Sequence, residues 1–239
     1  MEFLSRMELL YGPRAMEKLK RSSVIIFGIG GVGGYVAEAL ARCGVGRLTL
    51  VDHDIVSESN INRQIIALHG TIGRPKTEVM RERIADISPE TQVKLYSCFY
   101  LPETREQFDF SEYDYVVDAV DTVTAKLDII MAARAALVPV VSAMGAGNKT
   151  RPELFEIADI YETSVCPLAK VMRRELKRRG VDALTVVYSK EPPRTPVAGS
   201  EEPLAPGKKS TPGSVAFCPS VAGLLMASVV VNELTRVNG

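Results

Sequence analysis

The stretch Val24-Ile25-Ile26-Phe27-Gly28-Ile29-Gly30-Gly31-Val32-Gly33 decides the fold. Four consecutive apolar residues, 24–27, predict a short strand that is buried on both faces. The glycines that follow predict a tight turn into a helix over about residues 31–43. In that place, glycines let the backbone approach phosphate oxygens, which the free amides and the helix dipole attract. The stretch therefore predicts a nucleotide site, although the same glycines could serve only to pack the helix closely.

Short apolar segments alternate with helical patterns as far as residue 147. We predict further strands at residues 48–51, 92–99, 115–117 and 138–143, and a helix at residues 124–136. The strand at 92–99 is more polar than the others, which favours a position near an edge. Short apolar strands separated by helices are typical of a parallel sheet that is covered on both faces. The fold class is therefore α/β, with a doubly wound, Rossmann-like, mainly parallel sheet as the core at residues 23–147.

The flanking segments have other patterns, within one predicted domain over residues 1–239. Residues 1–22 predict an N-terminal helical arm that Gly12-Pro13 interrupts. Residues 148–239 predict a C-terminal extension. We expect an edge strand at 154–161, a helix at 167–179, a strand at 186–188 and a core or interface helix at 219–237. Residues 190–213 hold six of the 14 prolines and no aromatic residue, so we predict a mobile loop there.

Composition excludes several classes of protein. The chain has 239 residues, 46% of them hydrophobic, which is enough for a real core and excludes a disordered chain or a disulfide-stapled miniprotein. Its 29 Lys and Arg balance 29 Asp and Glu, so nucleic acid can be bound only by a local patch. The start carries Glu2 and no long apolar stretch, and the apolar run at 221–231 is shorter than the about 20 residues that cross a bilayer. We therefore predict a cytoplasmic protein without membrane attachment.

The four cysteines, Cys43, Cys98, Cys166 and Cys218, form no Cys-x-x-Cys pair. This spacing predicts that the protein holds no structural zinc. Cys218 could form a thioester, and Cys166 precedes a predicted helix whose N-terminus would lower the pKa of its thiol. The alternative for both residues is a buried, inert thiol.

Polar residues follow the predicted strands in an order that a hydride-transfer enzyme with a dinucleotide cofactor would not need. Asp52 ends the second strand, where a carboxylate can bind ribose hydroxyls. Arg63 and Lys76 can offset the charge that builds on ATP phosphates during attack at the α-phosphate. Asp121, beyond the fourth strand and Asp118, can hold magnesium. The milder interpretations are turn residues for Asn60 and Asn62, a surface cation for Arg63 and a helix cap for Asp121.

These motifs together resemble the ubiquitin-activating superfamily, over roughly residues 6–147. The matching order is Gly-x-Gly-Gly-x-Gly, Val51-Asp52-x-Asp54, Ser59-Asn60-x-Asn62-Arg63-Gln64, Lys76 and Asp118-x-x-Asp121. The resemblance implies ATP binding with magnesium at Asp121, and catalytic roles for Arg63, Lys76 and Asp121. It also implies a homodimer in which Arg6 is the nearest match to an arginine that enters the neighbouring site. The predicted nucleotide-binding residues are Gly28, Gly30, Gly31, Gly33, Asp52, Asp54, Ser59, Asn60, Asn62, Arg63, Gln64, Lys76, Asp121 and Thr122.

One branch of the superfamily is similar over most of the chain. Five segments resemble the tRNA threonylcarbamoyladenosine dehydratases. They are Arg6-x-Glu8-Leu9-Leu10, residues 28–35, Gly44-Val45-Gly46, residues 59–64 and Cys166-Pro167-Leu168-Ala169. The resemblance implies ATP-dependent cyclisation of threonylcarbamoyladenosine next to the tRNA anticodon, through an acyl-adenylate. The alternative is adenylation of a ubiquitin-like or sulfur-carrier protein, and a sulfurtransferase partner stays open. A nucleotide sensor without catalysis and a nicotinamide dehydrogenase are the interpretations from other classes.

A basic stripe is the candidate tRNA contact. Its members are spaced so that they share one helical face. Phosphates need such a local concentration of charge on a neutral protein, whereas the alternative is a solvated amphipathic helix. The stripe consists of Lys170, Arg173, Arg174, Lys177 and Arg178.

Overall fold

The computed structural model describes residues 2–195, 197 and 212–236. Most of the predicted loop at 190–213 lies outside these described residues. The described chain folds around one seven-stranded sheet in the order β3-β2-β1-β4-β5-β7-β6. The strands are β1 (Ser23–Phe27), β2 (Arg47–Val51), β3 (Gln92–Tyr96), β4 (Tyr115–Asp118), β5 (Val140–Ala143), β6 (Phe155–Asp159) and β7 (Thr185–Ser189).

Neighbouring strands are parallel throughout the sheet, except that β6 runs antiparallel to β7. The predicted doubly wound, mainly parallel α/β sheet is confirmed. The two strands expected at edges, β3 and β6, lie at the two ends of the order. The predicted strand at 92–99 stops early, at Tyr96, and the one at 138–143 starts late, at Val140. Leu137 adopts a left-handed φ of 59°, so the chain is still turning out of the preceding helix there.

Six α-helices of the described chain flank the sheet: α1 (Ser5–Arg21), α2 (Gly33–Arg42), α3 (Lys76–Ile87), α4 (Val123–Ala135), α5 (Pro167–Arg178) and α6 (Phe217–Thr235). The helical arm is α1, and the predicted break is a kink at Gly12, whose φ is 77°. Helix α3 was not predicted. Its buried apolar residues are only Val79, Met80 and Ile84, so its apolar stripe is too narrow to stand out in the sequence.

The helices divide between the two faces of the sheet. One core joins residues of α1, α2, α3 and α6 to the strands, and two further cores join α4 and α5 to the other face. Between β3 and β4, where every residue is described, no α-helix covers that second face. Aromatic side chains of the connecting segment cover Phe27 instead, with ring centroids 4.7 Å away at Tyr100 and 5.7 Å away at Phe110.

Helix α6 is apolar enough, by length and composition, to span a membrane, with a mean hydropathy of 1.6. Of an 18-residue apolar stretch of this helix, 56% is buried inside the protein. A Cβ added at Gly223 would lie 2.5 Å from the carbonyl oxygen of Val32, so glycine allows α6 to approach the start of α2 closely. The sequence predicted a core or interface helix, and the burial of α6 agrees with the first of these alternatives.

Candidate active site

A cavity of about 730 Å³ opens at the carboxyl ends of the central strands. The chain winds outward in one direction from β1 and in the other from β4, so these two neighbours form the switch point of the sheet. In open α/β sheets, ligands bind in the crevice at this point. The cavity brings together most of the residues predicted from the sequence, namely Gly28, Gly30, Gly31, Asp52, Asp54, Asn60, Arg63, Gln64, Lys76, Asp121 and Thr122.

The glycines of the first turn have different roles. Gly28 has a φ of 87°, and a Cβ there would lie 2.8 Å from the Ala119 carbonyl oxygen. A Cβ at Gly33 would lie 1.8 Å from the Gly28 carbonyl oxygen, and Gly33 does not line the cavity. At Gly30 the nearest atom is Gln64 Nε2, 3.9 Å away, so backbone packing does not require a glycine. Gly30 is therefore the position at which a phosphate can approach the backbone.

Asp52 fixes the end of β2 to the glycine turn. Its Oδ2 accepts a hydrogen bond from the Ile29 amide at 2.6 Å, and its Oδ1 accepts one from the Asp54 amide at 2.8 Å. Each carboxylate oxygen can accept a second hydrogen bond. Because Asp52 also lines the cavity, it can still accept hydrogen bonds from the hydroxyls of a ribose.

Two cations are held in place beside the turn. The buried Lys76 begins α3, and its Nζ donates to Asp54 Oδ2 at 2.7 Å. Arg63 donates from Nη1 to the Ser59 carbonyl oxygen at 2.7 Å and to Asn62 Oδ1 at 2.9 Å. Both side chains line the cavity, so their positive charges are oriented before any ligand arrives. Preorganised charge of this kind is effective at stabilising charge that develops in a reaction.

Two residues of the polar motif, Ser59 and Asn62, do not line the cavity. Asn62 Nδ2 donates to the Ser214 carbonyl oxygen at 3.0 Å, and Ser59 supplies a carbonyl oxygen to Arg63. Asn60 is buried at the cavity, and its Oδ1 accepts from the Ser57 amide at 3.2 Å. Asn62 therefore connects Arg63 to a distant segment of the chain, whereas Asn60 combines a local turn contact with a place in the lining.

Gln64 carries an unusual atom for a folded protein. Its Oε1 is buried and has no hydrogen-bond partner among the described residues. Buried polar atoms are almost always paired, since leaving one unpaired costs about 1–3 kcal/mol. Gln64 lines the cavity next to Gly30, so a ligand there would meet a side-chain amide with hydrogen-bonding capacity to spare.

The two aspartates after β4 separate into different roles. Asp118 is fully buried, with Lys126 Nζ 3.0 Å from its Oδ2 and with Ser142 Oγ donating to the same oxygen at 2.6 Å. This network holds β4, β5 and α4 together and occupies the carboxylate. Asp121 is exposed and lines the cavity, so it is the aspartate that faces a ligand.

Apart from the candidate thiol Cys166, a second part of the lining was not predicted as part of the site. Residues 143–149 continue from the last residue of β5, and residues 166–168 lie at the start of α5. Both segments line the same cavity. Within them, the buried Lys149 donates from Nζ to the carbonyl oxygen of Glu191. A signal was present in the sequence, because residue 143 ends a predicted strand and the carboxyl ends of parallel strands meet at one edge.

The two candidate thiols differ in their access to the cavity. Cys166 is buried but lines the cavity at the start of α5. Cys218 is fully buried and does not line it. Burial raises the pKa of the Cys218 thiol to about 11, helped by the negative charge of Glu191. A thiol with such a pKa is a poor nucleophile at neutral pH, so the geometry favours the inert interpretation for Cys218.

The basic stripe lies on α5, whose opposite face buries Ala169, Met172 and Leu176. Four members are exposed, namely Lys170, Arg174, Lys177 and Arg178. Arg173 is only half-exposed, because its Nη1 donates to the carbonyl oxygen and the hydroxyl of Thr163. Glu175 lies 3.2 Å from Arg174 and 3.5 Å from Arg178 and offsets part of their charge.

Comparison with known proteins places this geometry in context. A tRNA threonylcarbamoyladenosine dehydratase of Bacillus subtilis is 46% identical, over 97% of this chain and 94% of its own length. The solved structure of an Escherichia coli tRNA N6-threonylcarbamoyladenosine dehydratase with AMP has a TM-score of 0.88 and 31% identity, covering 98% of this chain and 94% of that one. A structure of the E. coli enzyme with ATP has a TM-score of 0.86 and 32% identity, covering 98% and 93%.

A more distant relative belongs to the carrier-activating proteins. The molybdopterin-synthase adenylyltransferase of E. coli is 37% identical over 53% of this chain and 50% of its own length. The chain as a whole matches the ThiF family over residues 4–238. The chain therefore belongs to the ThiF family, and within it groups with the tRNA threonylcarbamoyladenosine dehydratases.

Proposed function

We propose that the protein binds ATP and catalyses the dehydration of threonylcarbamoyladenosine in tRNA, next to the anticodon. The observation that carries the proposal is the cavity itself. It joins an open glycine position, Gly30, to two oriented cations, Arg63 and Lys76, and to the carboxylate of Asp121. The near full-length similarity to the B. subtilis and E. coli dehydratases supports this choice of substrate.

The chemistry proceeds in two displacements. A carboxylate oxygen of the threonyl group attacks the α-phosphorus of ATP, and the bond to the β-phosphate breaks to release pyrophosphate. The carbamoyl group then attacks the resulting acyl-adenylate carbon, loses a proton, and expels AMP as the five-membered ring closes. Because the second attack is intramolecular, its effective molarity is about 10⁵ M or more, and no cysteine nucleophile is needed.

The protein's own residues contribute mainly positioning and charge. Arg63 and Lys76 stabilise negative charge on the phosphates as the α-phosphorus is attacked, and Asp52 accepts hydrogen bonds from the ribose. Arg63 is anchored by Ser59 and Asn62, and Lys76 by Asp54, so neither side chain has to be ordered at the moment of reaction.

Magnesium is proposed as the companion of ATP. Asp121 suits it, because a carboxylate oxygen is the ligand type that magnesium prefers and this side chain lines the cavity. Asp52, His53 and Asp54 also lie close together, where Asp52 accepts hydrogen bonds from two backbone amides and Asp54 accepts one from Lys76. Bound magnesium would neutralise phosphate charge and favour the departure of pyrophosphate.

The remaining partners are proposals of the same kind. We propose a cytoplasmic homodimer without structural zinc, to which tRNA binds through the basic stripe on α5. Arg6 is exposed on α1 and is available to enter a neighbouring site. A sulfurtransferase-type protein is an open further partner.

Incubation with ATP, magnesium and tRNA that carries uncyclised threonylcarbamoyladenosine tests the proposal. We expect the digested nucleoside to lose the mass of one water, with one AMP formed per nucleoside. Arg63→Ala should reduce the rate at least about a hundredfold, the scale expected for a charge that stabilises the transition state. Arg81→Ala, which changes an exposed arginine of α3 outside the cavity lining, is the matched control and should leave the rate unchanged. An unchanged nucleoside mass with wild-type protein that binds ATP would refute the proposed substrate.

The second candidate is adenylation of the C-terminus of a ubiquitin-like or sulfur-carrier protein. The similarity to the molybdopterin-synthase adenylyltransferase favours it, although that similarity extends over only about half of the chain. In that case pyrophosphate would be released with a carrier protein and ATP, and tRNA would have no effect.

A further inference from the structure

The cavity has two halves that differ in chemistry. The nucleotide half is built from the ends of β1, β2 and β4, with the glycine turn and the cations Arg63 and Lys76. We name the other half the β5 lobe. It is lined by small and apolar residues and contains one buried cation. Its lining consists of residues 143–149 and 166–168 together with Pro193 and Pro212.

The cation of the β5 lobe, Lys149, sits on a backbone that is fixed on both sides. Asn148 adopts a left-handed φ of 57°, which asparagine tolerates better than most residues. Its amide and its Oδ1 both bond to Gly213, each at 2.7 Å, and its carbonyl oxygen accepts from the Arg194 amide at 2.9 Å. Two other segments of the chain, at Gly213 and at residues 191–194, therefore hold Lys149 at the cavity, so it is not a surface lysine that lies nearby by chance.

The ammonium group of Lys149 forms no ion pair within the described residues, although the charge of Glu191 acts on it at longer range. Lys149 is 3% exposed, and its acceptor is the neutral carbonyl oxygen of Glu191. The carboxylate of Glu191 accepts instead from the amides of Thr150 and Arg151, at 3.0 and 2.9 Å. Lys126 differs, because it is also buried but forms an ion pair with Asp118.

The pKa shifts of Lys149 and Glu191 agree with the absence of an ion pair between them. Burial lowers the pKa of Lys149, and the nearby Cys166 and Glu191 only partly offset it. Burial alone would raise the pKa of Glu191, but the hydrogen bonds from Arg151 and Thr150, together with the positive charge of Lys149, outweigh burial and lower it. A buried ammonium whose charge is only partly balanced is costly, and a bound anion would remove that cost.

We propose that Lys149 binds the carboxylate of the acceptor substrate, and that the β5 lobe is the acceptor site. The proposal rests on the proposed function and adds to it the residue that recognises the group to be adenylated. The strands support the placement, since β5 pairs directly with β4, with Ser142 opposite Asp118. A carboxylate in the β5 lobe therefore lies beside the strand end that leads to Asp121 and the nucleotide half.

The lining of the lobe also suits an aminoacyl nucleoside better than a second phosphate group. Apart from Lys149, it presents mainly small and apolar residues such as Met144 and Leu168, which can pack against a flat base and a methyl-bearing side chain. The phosphates of ATP already have Arg63 and Lys76 in the other half. Lys149 is thus a positioning residue whose charge selects the carboxylate and holds it for attack.

The test compares the affinity of two tRNAs that differ only in the threonylcarbamoyl group, in the presence of an ATP analogue whose α,β bridge cannot be cleaved. We expect wild-type protein to bind the modified tRNA at least about tenfold more tightly than the unmodified one. Lys149→Met keeps the bulk of the side chain but should remove this preference. The affinity for the ATP analogue should stay within about twofold, and the rate of nucleoside dehydration should fall at least about a hundredfold. Lys149→Arg should restore part of the preference.

Lys190→Met is the matched control, because Lys190 is exposed next to Glu191 and pairs with Glu156. It should leave the preference and the rate unchanged. A Lys149→Met protein that retains the preference would overturn the inference, and so would one that loses affinity for the ATP analogue. If Lys149→Met does not fold, Lys149→Gln is measured in the same way. If wild-type protein shows neither dehydration nor preference, the proposed function has failed, which is a distinguishable result.

Discussion

Three lysines in the described part of the chain are buried, and they differ in the group that their ammonium nitrogen contacts. Lys76 pairs with Asp54 at the cavity, Lys126 pairs with Asp118 inside the protein, and Lys149 meets a carbonyl oxygen. Only Lys76 was predictable, because it belongs to a motif of known order. A lysine is normally exposed, so a sequence alone gives no reason to bury the other two. Their roles follow from contacts between segments that lie far apart in the chain.

The pair between Lys126 and Asp118 yields a prediction for stability. Lys126→Met leaves a fully buried carboxylate without its counter-ion, which typically costs about 3–5 kcal/mol. The free energy of unfolding, measured by urea titration, should fall by that amount. The double variant Lys126→Met, Asp118→Leu should recover most of the loss, because no buried charge is then left. Equal stability of the single variant and the wild type would contradict a stabilising role for this ion pair.

Among the elements, the strand, turn and helix at residues 23–42 were the most predictable. Every constraint there is local, from the apolar run of β1 to the glycines that open α2. Helix α3 and the aromatic segment between β3 and β4 were not predictable in the same way. They are held by contacts with distant residues, as when Phe27 packs against Tyr100 and Phe110, and no local pattern encodes such contacts.

Two glycines of that turn give a matched pair of variants. Gly33→Ala places a methyl group against the Gly28 carbonyl oxygen, so we expect at least about 2 kcal/mol of destabilisation from strain. Gly30→Ala meets open space, so stability should be almost unchanged. Its methyl group would instead occupy the approach of a phosphate, and the affinity for ATP should fall about tenfold or more. Calorimetric melting and ATP titration of both variants check this division, and Gly30→Ala with wild-type ATP affinity would contradict it.

At the scale of the whole molecule, the sequence indicated alternating strands and helices but not their spatial order. Strand β7 inserts between β5 and β6, so the described strand that comes last in the sequence pairs directly with β5. This arrangement, together with the contacts of Asn148 to Arg194 and Gly213, completes the β5 lobe. Half of the candidate site was therefore predictable from motifs, whereas the other half depends on the order of strands in the finished sheet.

The overall charge of zero leads to a prediction about tRNA. Because the molecule has no net attraction for phosphates, reversal of Lys170, Arg174 and Lys177 to Glu should weaken tRNA binding more than tenfold. The slope of log affinity against log salt should fall by about one for each phosphate that the variant no longer binds. Reversal of Lys20, Arg81 and Lys94, which are scattered over other elements, changes the net charge equally and is the control. ATP affinity should stay constant in both proteins, and equal tRNA affinity of the two would exclude the stripe as the contact.

The packing of α6 has a consequence for how the protein is made in the cell. This helix follows all seven strands of the described sheet, yet it packs against α1 and α2, which are synthesised earlier. The apolar residues of α1 and α2 that contact α6 therefore stay uncovered until α6 has been synthesised. Uncovered apolar surface attracts chaperones and other nascent chains. We therefore expect a chain whose translation stops before α6 to be prone to aggregation.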